Sequence, residues 1–162
     1  MRKITALIIF QTIILSSCTK EQLDENEGFN MLLMGHSFFK PYAERLEEVA
    51  IDAGYKSHIQ TNVFRGGENG RALDLWNSTG NENILIKEIL DNGNVDFMGM
   101  TGWNLFHHPT DGYREWINYA LVNNPDIKIF ISISPIDFPN NWEQRALDYG
   151  FSSIEEAFDY HI

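Results

Sequence analysis

A serine follows directly on a strongly apolar run. Residues 29–39 read FNMLLMGHSFF: Met31 to Met34 are apolar, Gly35 permits a sharp turn, and Ser37 precedes Phe38 and Phe39. A hydroxyl at the abrupt end of a buried strand is in place to act as a nucleophile. The same position suits an ordinary turn former or helix cap. Two further polar stretches carry groups that would complement such a serine, RGGENG at 65–70 and TGWNLFHHPT at 101–110. At Gly66 or Gly67 a backbone N–H can approach a ligand with no Cβ in the way. Asn104 offers an amide that donates without adding charge. A serine hydroxyl also needs a base at neutral pH, and the chain closes on a candidate, His161, in Asp159-Tyr160-His161-Ile162.

Other chemistries fit these residues less well. RGGENG lacks the Gly-x-x-x-x-Gly-Lys pattern of a phosphate loop, and Glu68 would repel an anion. His107 and His108 are adjacent on one stretch with no carboxylate or thiol cluster beside them, so neither a metal nor another cofactor is expected. The bland readings stand alongside: RGGENG as a plain loop, Asn104 as a loop cap. Trp76, Trp103 and Phe106 would either floor a sugar site or pack in the core or at the rim. His36, next to Ser37, is not expected to be the base, because neighbouring side chains point apart at a turn.

The elements that must position these groups alternate in type. Residues 29–35 read as a strand buried on both faces. Pro41 suits the first turn of a helix in which Tyr42, Leu46, Val49 and Ala50 recur at helical spacing, and Gly54 stops it. Residues 57–64 follow as a strand, 72–76 as a helical turn and 82–90 as a helix carrying Ile84, Leu85, Ile89 and Leu90. Then come a strand at 95–100, a helix at 111–123 stopped by Asn124-Pro125, and a strand at 127–133. Two helices at 142–149 and 154–160 close the chain. This alternation predicts an α/β domain, a parallel sheet flanked by helices in three α/β/α layers. Ligands of such sheets bind beyond the carboxyl ends of the strands. The stretches at 35–37, 65–70 and 102–108 all leave those ends and are expected to converge.

Taken in order, Gly35-His36-Ser37-Phe38, Gly66-Gly67 and Gly102-Trp103-Asn104 resemble the first three blocks of the SGNH (GDSL-like) hydrolase superfamily, over residues 29 to about 135. The resemblance implies a flavodoxin-like fold and hydrolysis of esters, often O-acetyl groups on carbohydrates or acyl chains on lipids. It implies Ser37 as nucleophile, with the Ser37 and Gly67 N–H groups and the Asn104 amide as oxyanion hole. Two departures accompany it. His36 stands where the family has Asp or Asn, at a position that takes no part in the reaction. The family's base is the His of an Asp-x-x-His motif after a fifth strand, whereas Asp159-Tyr160-His161 is one residue short. No apolar fifth strand lies between Pro135 and Ile162. About four strands are therefore expected, with the last strand and its histidine missing from this sequence. The alternative is a non-catalytic lipoprotein that binds a glycan or a protein on the same fold.

The amino-terminal segment bounds where such a protein works. Arg2 and Lys3 precede a mostly apolar stretch from Ile4 to Leu15. It is too short to span a bilayer core, which takes about 20 residues, and has the size of a signal-peptide apolar region. Leu15-Ser16-Ser17-Cys18 resembles the lipobox of bacterial lipoproteins, which implies cleavage before Cys18 and its lipidation; an ordinary secretory signal or an uncleaved anchor is the alternative. Cys18 is the only cysteine, so no intramolecular disulfide can form. Residues 19–28, TKEQLDENEG, are too polar to build a core and read as an acidic tether. Residues 29–162 then form one domain, with an overall 43% apolar and 13% aromatic content sufficient for a core. The formal charge of −11 becomes more negative still once Arg2 and Lys3 leave, and such a body repels nucleic acid. The expectation is an exported, membrane-anchored protein facing the periplasm or cell surface and acting on a small-molecule or glycan ester.

Overall fold

The computed structural model describes residues 27–101, 112–132 and 141–161. Its centre is a parallel sheet of β1 (Asn30–Gly35), β2 (Ile59–Phe64), β3 (Phe97–Thr101) and β4 (Lys128–Ser132), in the order β2-β1-β3-β4. β1 is bonded on both edges and covered on both faces, which is why Met31 to Met34 is uniformly apolar. The order reverses between β1 and β3, as in the expected flavodoxin-like three-layer fold. Among the described residues β4 forms an edge and leaves Ile131 exposed.

Alternate side chains build two cores. Leu32, Met34, Met98 and Met100 face α2 (Ala72–Asn77), α3 (Asn81–Asp91) and α4 (Tyr113–Asn123), where Leu75, Ile86, Leu90 and Trp116 are fully buried. Met31 and Leu33 face the other way, toward Phe39 and Ala43 at the start of α1 (Lys40–Asp52).

Two of the expected apolar stripes turn out to be rotated. In α1, Tyr42, Leu46 and Val49 are 67%, 39% and 47% exposed, while Ala43 and Ala50 are buried. Phe39 already fills the space over Phe64 and Phe130, with ring centroids 5.9 and 6.2 Å away. The helix behind it therefore meets the sheet through small side chains. In α3, Ile84 and Leu85 are 51% and 42% exposed, and Asn83, Ile86 and Leu90 point inward. Asn83 belongs inside because its Nδ2 donates to the Leu75 and Trp76 carbonyls at 2.8 and 2.9 Å, groups the short α2 helix leaves unsatisfied.

A second buried amide joins three elements. Asn124 ends α4, donates to the Leu90 carbonyl at 2.8 Å, and accepts from the Val95 N–H at 2.9 Å. At the other end of α4, the Tyr113 hydroxyl donates to the Thr101 carbonyl at 2.8 Å and Trp116 Nε1 to the Ala72 carbonyl at 2.9 Å. α5 (Trp142–Asp148) and α6 (Ile154–His161) pack together around Trp142, Ala146 and Ala157. Arg145 lies 3.9 Å from the Glu68 carboxylate, and the Tyr149 hydroxyl donates to it at 3.4 Å, which brings this pair against the loop after β2.

Asn124→Ala leaves the Val95 N–H and the Leu90 carbonyl without this partner, so urea denaturation should show a loss of about 1–3 kcal/mol. Burial pushes the Tyr113 phenol from its ordinary 10.0 up to about 12, so the folded protein favours the neutral form. That contribution is whole below pH 10 and is lost as the pH climbs through the raised value of about 12. Tyr113→Phe should flatten the alkaline limb of stability over this range. An unaltered limb would remove Tyr113 as its source.

Candidate active site

The site is built outward from the carboxyl end of β1. Gly35 closes the strand where space is short: a Cβ there would lie 2.6 Å from Thr101 Cγ2, at the end of β3. The chain then turns. The His36 carbonyl accepts from the N–H of Phe39 at 3.1 Å and of Lys40 at 3.3 Å, and His36 Nδ1 accepts from the Phe38 N–H at 3.3 Å. Ser37 is left at the apex, exposed, while the His36 ring behind it is fully buried and edge-on to Phe38. Three successive N–H groups are consumed by His36. Among the described residues no acceptor meets the fourth, that of Ser37. His36 itself is not placed as a base for Ser37, since its ring is sealed from solvent and its Nδ1 is engaged.

The loop after β2 is pressed against this turn. The Arg65 N–H donates to the Gly35 carbonyl at 3.0 Å. Residues Gly67–Gly70 form a 3-10 turn within the stretch read from sequence as a loop. Its last residue packs so tightly that a Cβ on Gly70 would lie 2.4 Å from the Gly35 oxygen and 2.7 Å from that of Arg65. Gly66 and Gly67 differ in their needs. Gly66 has φ −73° and open space around its Cβ direction, whereas Gly67 has φ 55°, the left-handed region that favours glycine. The following Arg71 leads into α2 and pairs with Asp74. Burial acts to lower the Arg71 pKa, yet the hydrogen bond and charge of Asp74, with the charge of Glu68, leave it raised.

The convergence expected of three loops is thus present for two of them, at 35–37 and 65–70. The third departs from Thr101, whose side chain abuts Gly35, but Trp103, Asn104, Phe106, His107 and His108 lie outside the described residues, as does Cys18. His161 ends α6, and its side chain is likewise outside them. No family model, curated protein or solved structure matches the chain. Trp76, a candidate sugar platform, packs edge-on against Trp116 at 4.9 Å with Lys87 Nζ over its ring, which makes it part of the helical layer. Among the described residues no group of three metal-ligating side chains is present. A groove of about 510 Å³ lies between Phe29, residues 93–97 and residues 124–128, at the amino ends of the strands. This is the pole opposite the one where such sheets bind ligands, and Asp96 there already accepts the Asn30 N–H at 2.7 Å.

Sequence reasoning missed the part that Gly70 and Thr101 play in bringing the two loops together. The glycine-rich run was the one available signal, and it did not distinguish which glycine meets backbone. Gly70→Ala should force the 3-10 turn off Gly35, cost about 1–3 kcal/mol in denaturation and shift the amide resonances of residues 35–37. Gly66→Ala should do neither. Equal effects from the two variants would contradict this account.

Proposed function

We propose that this protein is an exported, lipid-anchored serine esterase of the SGNH type, acting on O-acyl esters of carbohydrates or similar small substrates. One observation carries the reading: Ser37, exposed and with its N–H unclaimed among the described residues, stands at the switch point of a parallel sheet, on a turn against which the glycine-rich loop is packed through Arg65 and Gly70. In the reaction Ser37 Oγ attacks the acyl carbonyl and loses its proton to a base. The carbonyl oxygen takes the negative charge, met by the N–H groups of Ser37 and Gly67 and the side-chain amide of Asn104. Each such preorganised donor is worth about 3–4 kcal/mol in the transition state. The alcohol leaves with a proton, and water then releases the acid from the acyl-enzyme.

Ser37 follows the carboxyl end of β1, the end away from residues 19–28 in the chain. No helix among the described residues is long and apolar enough to cross a membrane.

A second reading is a non-catalytic protein that binds a glycan or another protein through the same cleft. It is favoured by the imidazoles whose side chains are described. His36 is sealed behind the turn, and His58 accepts from the Phe29 N–H at 3.4 Å, at the far pole. His107, His108 and His161 are the remaining candidate bases on the sequence, His161 with Asp159 two residues before it. Ser37→Ala should abolish hydrolysis of p-nitrophenyl acetate. Turnover that survives it ends the esterase assignment, and glycan binding that survives it with no hydrolysis by any form establishes the second reading.

A further inference from the structure

We infer that His36 is the positioning residue of the serine turn, acting through its Nδ1 as an aspartate or asparagine side chain acts in an Asx turn. The claim rests on the esterase reading for its consequence in catalysis, and on geometry for the turn itself. In an Asx turn the side-chain oxygen of one residue accepts the backbone N–H two residues on. His36 makes that contact with the Phe38 N–H at 3.3 Å. The match is one of connectivity. Histidine Nδ1 is bonded to Cγ, as Oδ1 is in Asn and Asp, so both acceptors sit the same number of bonds from Cα. The Nδ1 that accepts carries no proton, so the neutral imidazole has its hydrogen on Nε2.

The Phe39 and Lys40 N–H groups are bound to the His36 carbonyl, so one residue anchors all three amides that follow Ser37. The ring is fully buried and edge-on to Phe38 at 5.7 Å between centroids, which locks its orientation. Releasing the Phe38 N–H lets the peptide between Ser37 and Phe38 rotate. That rotation displaces the Ser37 hydroxyl relative to the Gly67 turn while leaving the sheet intact. The effect is on the geometry of attack and falls on kcat rather than on KM.

The test compares two amides that differ in reach by one methylene. His36→Asn keeps an acceptor at the same distance from Cα, and His36→Gln moves it one bond further out; His36→Ala removes it. In the full chain purified in detergent, His36→Asn should keep the Phe38 amide exchange rate and most of kcat for p-nitrophenyl acetate. His36→Gln should speed Phe38 exchange about tenfold and lower kcat by about 10²-fold, the order expected of a misplaced reacting group, with KM little changed. His36→Ala should follow the glutamine variant if it folds. Asparagine and glutamine variants with equal kcat and equal Phe38 exchange would overturn the inference, as would an alanine variant with wild-type values. If no form shows Ser37-dependent turnover, the esterase reading falls, and Phe38 exchange alone decides whether His36 holds the turn.

Discussion

The carbonyl end of Gly35 is the constraint from which the rest of the site follows. Three neighbours meet there at close range. The Arg65 N–H bonds its oxygen, Gly70 is stacked on it where no side chain would fit, and the Thr101 side chain occupies the space that a Cβ on Gly35 would need. A serine turn, the loop after β2 and the exit from β3 are thereby brought to one point. Hydrophobic burial cannot do this by itself, because it is non-directional. Burial brings β1 to the middle of the sheet, and the shape of Gly35 and Gly70 then lets polar backbone close over its end.

The buried polar groups have the same logic. Asn83, Asn124, Tyr113 and Trp116 each satisfy a carbonyl or N–H at the end of a helix or strand. Burying such groups unpaired would be expensive. Paired, they fix the angles at which α2, α3 and α4 meet the sheet, and so fix where the loops at its carboxyl edge begin. The Glu68 carboxylate, close to Arg71, Arg145 and Tyr149, links that edge to the separate α5–α6 pair. These contacts are half-exposed and long, so they orient rather than stabilise.

Much of the architecture was legible in advance. The alternation of apolar runs and helical stripes predicted four parallel strands, and all four are present with ends within about two residues of those expected. Less legible was which face each helix turns inward. Leu46 and Val49 of α1, like Ile84 and Leu85 of α3, are apolar yet exposed, while Ala43 and Asn83 are buried. Hydrophobicity ranks residues by type, but close packing selects them by size and by hydrogen-bonding need. Phe39 took the volume that larger α1 residues would have filled, and two orphan carbonyls of α2 took Asn83. The 3-10 turn at Gly67–Gly70 was hidden for a related reason, since glycine permits many conformations and its neighbours select one.

By itself, the sequence determined the local periodicities, the turn at Gly35, and a serine and a glycine pair at strand ends, because these depend on residues a few positions apart. Only the tertiary structure decided that Gly67 rather than Gly66 sits left-handed, that Gly70 meets Gly35, and that His36 turns back on Phe38 while Ser37 faces outward. Those outcomes depend on distances between residues far apart in the chain or on which side of a turn is buried. Such distances are set only when the sheet and its helices have packed.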